Sequence, residues 1–141
     1  AEHGWRCVAW RRLLPQPVLS ADTTLEFEGE VIGKPLSAGD AMRILGRLSG
    51  KTHRVLTAVA VCVDQRIETA LSTSEVRFAT LSETDIRRYV DSGEPMDKAG
   101  AYGIQGRAGV FVEHLSGSYT GVMGLPLHET AVLLRRFGVP V

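Results

Sequence analysis

The stretch "THRVLTAVAVCVDQRIETALSTSEVRFATL", Thr52 to Leu81, constrains this chain more than any other. Thr52 to Asp64 reads as one long strand, Asp64-Gln65-Arg66 turns the chain, and Ile67 to Leu81 returns as its antiparallel partner. A hairpin this long belongs to a larger sheet, and the flanking sequence offers the strands and helices for it. "PVLSA", 17–21, is a continuous apolar run and is expected to be a strand buried on both faces. "TTLEF" and "EVIG" flank Glu28-Gly29, a hairpin turn. "VFVEHLSG" predicts a further strand.

Three helices are expected. Ser37 with Asp40 makes a capping pair, Ala41, Ile44, Leu45 and Leu48 form an apolar face, and Gly50 stops the helix. Ser82 with Asp85 opens the second, with Ile86, Tyr89 and Val90 inward and Gly93 as its stop. The last runs over about 127–137, carries Ala131, Leu133, Leu134 and Phe137, and is closed by Gly138 and Pro140. Strands and helices mix without strict alternation. The expected fold class is α/β or mixed α+β, with a mixed twisted sheet and flanking helices.

At 141 residues the chain is sized for one domain. Its 16 basic and 16 acidic residues balance, which argues against a nucleic-acid partner, since that needs a basic footprint. No apolar run approaches the length of a membrane span, so no membrane partner is expected. "AEHGWRCVAWRR" lacks the apolar centre of a signal peptide. Pro15 and Pro17 break helix, so residues 1–16 read as a connector and 17–141 as the domain. Cys7 and Cys62 follow no metal spacing. Both are expected to be reduced, as in cytoplasm, with Cys62 a small buried side chain. The four histidines are scattered in no zinc pattern.

Asp22 is the leading candidate for chemistry. A carboxylate at the exit of a buried strand stands where open α/β sheets bind ligands, and it could hold Mg²⁺ or take a proton from water. The plainer reading is an Asx turn. Lys34 precedes Pro35, which keeps it extended and aims its ammonium, as a phosphate requires. It also fits a solvated loop. In "DKAGAYGIQG", Asp97 to Gly106, small residues allow close backbone approach, and Gln105 offers both a donor and an acceptor. The spacing is not that of a P-loop, and a packed structural loop is the alternative. Ser49 and His53 lie four apart across a helix end with no orienting acid, so they are set aside as a nucleophilic pair.

Together, "ADTT", "GEVIGKP", "DAMRILGRLSGKTHRVLTAVAV", "SEVRF", "YVDSGEPMDKAGAYGIQGRAGVFVEHLSGSY" and "VMGLPLHET" resemble the Maf family of nucleoside triphosphate pyrophosphatases, from about Pro17 to Gly138. "ADT" and "AYGIQG" are similar to its dTTP/UTP branch. The sister branch acting on methylated GTP carries a different aspartate motif and a Glu near the position of Gln105. The resemblance implies hydrolysis of a nucleoside triphosphate to the monophosphate and pyrophosphate, with a divalent cation, Mg²⁺ or Mn²⁺. It implies a Maf/ITPase-like fold with two lobes around a cleft, a homodimer and a cytoplasmic setting. It puts the general base, also a metal ligand, on Asp22, a cleft lysine on Lys34, and specificity positions on Thr23 and Gln105. In the mechanism this suggests, Lys34 and Lys98 neutralise phosphate charge. The family's opening Ser-x-Ser-Pro-Arg-Arg segment has no counterpart. "AWRRLL", Ala9 to Leu14, shares its arginines but neither serine, and reads as connector. Weak triphosphate binding and an exposed sheet edge are therefore expected. The rival reading is an impaired, truncated Maf-like protein with a binding role in septum formation.

Overall fold

β3 (Thr52–Val63) and β4 (Arg66–Phe78) make the long hairpin, paired from Thr52↔Arg77 to Val63↔Arg66 in a computed structural model that describes residues 16–141. β1 (Val18–Phe27) pairs with the other side of β3, and β2 (Glu30–Ile32) pairs with β1. β5 (Val112–Ser116) closes the far edge, giving the order β2-β1-β3-β4-β5 in a five-stranded sheet. Glu28 and Gly29 both take positive φ, 52° and 78°, the geometry of a tight hairpin turn whose twist matches that of the strands.

The expected class holds, a mixed α/β structure with helices flanking a sheet. Every pairing among the described residues is antiparallel, where a mixed sheet was expected. Two tight turns account for two of these pairings, because a two-residue loop can only reverse the chain. β1 also differs from expectation. The sequence suggested two strands, 17–21 and 23–27, parted at Asp22, but β1 runs unbroken from Val18 to Phe27, because β3 gives a ladder partner to each residue from Val18 to Glu26. Its first half alternates between half-buried and exposed and is not buried on both faces.

The helices begin where their caps predict. For α1 (Ala38–Leu48), the Ser37 hydroxyl accepts from Asp40 N at 3.0 Å and the Asp40 carboxylate accepts from Leu36 N at 2.9 Å. That backbone bond, with Arg43 beside it, holds the Asp40 carboxyl below the usual carboxylate range. α2 (Glu83–Asp91) starts on Ser82, which accepts from Asp85 N at 3.0 Å, and buries Ile86, Tyr89 and Val90. α3 (Tyr119–Met123) is short, and α4 (Leu127–Arg136) buries Thr130 and Leu133. Ser49 closes α1 by donating its backbone N–H to Leu45 O at 3.0 Å, and its hydroxyl accepts from Leu81 N at 2.7 Å, so it is structural, as expected.

Odd-numbered residues of β3 share one face of the sheet. His53 and Val55 lie toward the larger core, built with Leu25, Phe78 and the inner faces of α1 and α2. Val59 and Val61 belong to a smaller core with Leu133 of α4. Thr57 falls between the two. Its cross-strand partners are Thr23 and Ser72, so a row of hydroxyls divides the face into two apolar bodies. Cys62 is buried as expected, but it is not a free thiol, which corrects the expectation of a reduced cysteine. Apart from Gln16, the proposed connector lies outside the described residues, as does Cys7. Among the described residues no helix is long and apolar enough to cross a membrane.

Candidate active site

The hydroxyl row is the foundation of the site. Thr23 Oγ1 lies 3.1 Å from Thr57 Oγ1, and Thr57 Oγ1 donates to the carbonyl of Gly121 at 2.6 Å. Thr57 is 0% exposed. A Cβ on Gly121 would stand 2.5 Å from Ser72 Oγ, so α3 rests its bare backbone on the row. Ser118 caps α3 by accepting from Gly121 N at 2.9 Å. This seating carries Val122 and Met123 over the seam between the two cores.

Beside the seam lies a cavity of ≈ 270 Å³ whose lining includes Thr23, Lys34, Lys98, Tyr102, Gln105 and Met123. Its size is just below the usual range for small-ligand sites. Lys34 is carried in by the turn after β2, where Gly33 O accepts from Gly100 N at 3.1 Å. Lys98 Nζ donates to Glu94 O and to Asp97 Oδ1, both at 3.0 Å. Asp97 is held below the usual carboxylate range, chiefly by Lys98 and to a smaller degree by the charge of Lys34. The two ammonium groups therefore share one electrostatic neighbourhood.

The loop bearing Gln105 is pinned on both sides. Gly103 N donates to the Tyr89 hydroxyl at 3.3 Å, and Arg107 N donates to both carboxylate oxygens of Glu94 at 3.2 Å. Burial pushes the Tyr89 phenol up to about 12, and the nearby charge of Glu94 adds to the effect. Below the cavity, Tyr102 meets His53, with 2.6 Å between its hydroxyl and Nε2. His53 is 1% exposed, and burial pulls its pKa down to about 4, so the ring is neutral at ordinary pH. Burial also pushes the Tyr102 phenol upward.

The structure thus brings four candidates together: Thr23, Lys34, Lys98 and Gln105. Asp22 is not among the lining residues. It sits inside β1 opposite Ala58, not at a strand exit, and successive strand residues point to opposite faces.

A family model described as Maf-like protein matches residues 2–137. The chain belongs to the Maf family. A relative from Aromatoleum aromaticum, named dTTP/UTP pyrophosphatase, is 61% identical over 141 residues, covering 100% of this chain and 68% of the relative. One of the same name from Dechloromonas aromatica is 63% identical over 138 residues, covering 98% of this chain and 69% of the relative. A third, from Chromobacterium violaceum, is 56% identical, with 98% of this chain and 70% of the relative covered.

The Maf resemblance implied a divalent cation on Asp22, and the cavity does not fit one. Its lining presents two ammonium groups and no carboxylate, whereas Mg²⁺ takes oxygen ligands, carboxylates foremost. Among the described residues no three His, Cys, Asp or Glu side chains gather at one point. Sequence reasoning missed Thr57, Glu94 and α3. Thr57 had left a sign, as the one hydroxyl inside the apolar run "VLTAVAVCV". Glu94 had left none, because its role exists only through contact with Arg107, 13 residues on.

Proposed function

We propose that this protein hydrolyses nucleoside triphosphates, dTTP and UTP above all, to the monophosphate and pyrophosphate. The observation that carries this reading is the meeting of two lysines with Thr23 and Gln105 in one cavity. Relatives of over 60% identity bearing the name dTTP/UTP pyrophosphatase support it. Lys34, exposed at the rim, takes phosphate charge first. Lys98 joins by exchanging its Asp97 contact for the phosphate. Cleavage of a phosphoanhydride depends mainly on positioning and on such charge neutralisation. Gln105 and Thr23 face the base. The proposed role of Asp22, as base for the water that attacks the α-phosphorus, rests on the motif resemblance. The proposed setting is cytoplasmic and the proposed assembly a homodimer. A divalent cation, Mg²⁺ or Mn²⁺, enters this reading with the triphosphate it accompanies.

Pyrophosphate release from dTTP, UTP and CTP, assayed with Mg²⁺ or Mn²⁺, tests the reading. We expect release from dTTP and UTP, and a fall of about tenfold in kcat/KM for Lys34→Ala, the equivalent of one lost charged contact. Asp22→Asn should lose roughly 10²-fold or more if that carboxylate is the base. A well-folded protein that releases pyrophosphate from none of the three sinks the reading. Full turnover by Asp22→Asn removes only that residue.

A further inference from the structure

The hydroxyl row has a direction, fixed by counting protons. The carbonyl of Gly121 cannot donate, so the single hydroxyl proton of Thr57 lies in the 2.6 Å bond to it. Thr57 then has only lone pairs for Thr23, and the proton in the 3.1 Å contact between the two must come from Thr23. Both protons run toward α3. What Thr23 turns to the cavity is an oxygen that can accept and cannot donate. Thr57 is 0% exposed, so no water competes to reverse the order.

We infer that Thr57 is a positioning residue that makes Thr23 an obligate acceptor, and that the site thereby selects bases carrying an imide N3–H, uracil and thymine, over cytosine. The inference rests on the pyrophosphatase reading above. Along the pairing edge of uracil or thymine the only donor is N3–H, between two carbonyls. A group that can only accept has one place to go on that edge. Cytosine presents a bare lone pair at N3 and its only donor on that edge is the 4-amino group, so a base seated with N3 opposite Thr23 would set two acceptors face to face. Gln105 cannot enforce this choice alone. Its amide has a donor end and an acceptor end, and by turning over it matches either pyrimidine. A site that leaves a polar group unpaired against the wrong ligand rejects it strongly.

The test compares kcat/KM for dTTP and dCTP in the wild-type protein, Thr57→Val and Thr57→Ser. Valine keeps the shape of threonine but frees the Thr23 hydroxyl to rotate and donate. The dTTP-to-dCTP ratio should fall about tenfold or more in Thr57→Val and return to near the wild-type ratio in Thr57→Ser. Adding Thr57→Val to Thr23→Val should change the ratio no further, because Thr57 acts through Thr23. A purely structural role for Thr57 would lower turnover of both nucleotides alike and leave the ratio unmoved, which overturns the inference. The wild-type protein gives a second test that needs no variant to fold. UTP methylated at N3 lacks the donor and should be a substrate at least about tenfold poorer than UTP, and equal turnover of the two overturns the inference. A wild-type protein inactive on dTTP and UTP alike would instead overturn the pyrophosphatase reading, and this inference with it.

Discussion

Gly106 has no side chain because the Glu94 carboxylate fills the place a Cβ would take. The two residues form one device, since that carboxylate also receives Arg107 N and so holds the turn on which Gln105 stands. In Gly106→Ala the flexible end of Glu94 is what must give way, and Arg107 N loses its partner. A hydrogen bond of this kind is worth about 1 kcal/mol, so KM for dTTP should rise roughly fivefold with kcat less affected. Glu94→Ala should do the same, and the double variant should be no worse than either single one, because both break one contact. Steady-state kinetics on the three variants decide the matter, and additive losses would dismiss the device. Gln105 itself was legible in the sequence, flanked by small residues that announce close approach. Glu94 and Thr57 were not, for each works through a partner that only the fold brings near. Thr57 meets Thr23 across 34 positions of chain.

Elements could be read from the sequence wherever local signals and periodicity agree. α1 has both: Ser37 and Asp40 close its first turn, and Ala41, Ile44, Leu45 and Leu48 recur on one face. The long hairpin is equally plain. β1 was read as two strands, 17–21 and 23–27, because Asp22 between them looks like a strand exit or an Asx turn. The ladder to β3 and the pairing of Thr23 with Thr57 outweigh that local preference. α3 spans Tyr119–Met123, too short to show a helical period, and its position depends on the hydroxyl row beneath Gly121. The two kinds of signal at α1 differ in weight. Ser37→Ala removes one capping bond and should cost about 1 kcal/mol. Leu45→Ala opens a void where the side chain is 0% exposed, and should cost about 2–5 kcal/mol. Urea unfolding of both variants checks the order. A cap variant as damaging as the core variant would mean that α1 is held by its end and not by its face.

At the scale of the whole molecule, two apolar bodies share one sheet face, and the buried polar groups near their boundary decide how the protein answers to pH. His53 belongs to the larger body, edge-on to Phe78 and Tyr102, and burial lowers its pKa from 6.5 to about 4. Above pH 6.5 the imidazole is neutral in the folded and unfolded chain alike and adds no pH dependence. As pH falls below 6.5 the unfolded chain takes up a proton that the folded protein refuses until about pH 4. Stability must therefore drop across this window, at up to about 1.4 kcal/mol per pH unit and by about 3 kcal/mol in all. Asp40 and Asp97, whose pKa values are lowered from 3.8, act in the same direction but below the window, losing their contributions only as pH falls further. His53→Phe keeps a ring against Phe78 and Tyr102 and removes the proton site. Its unfolding free energy, measured in urea from pH 7 to pH 4, should run nearly flat where that of the wild type declines. Identical slopes in the two proteins would mean that the folded interior accepts the His53 proton after all, and that the acid sensitivity of this fold lies elsewhere.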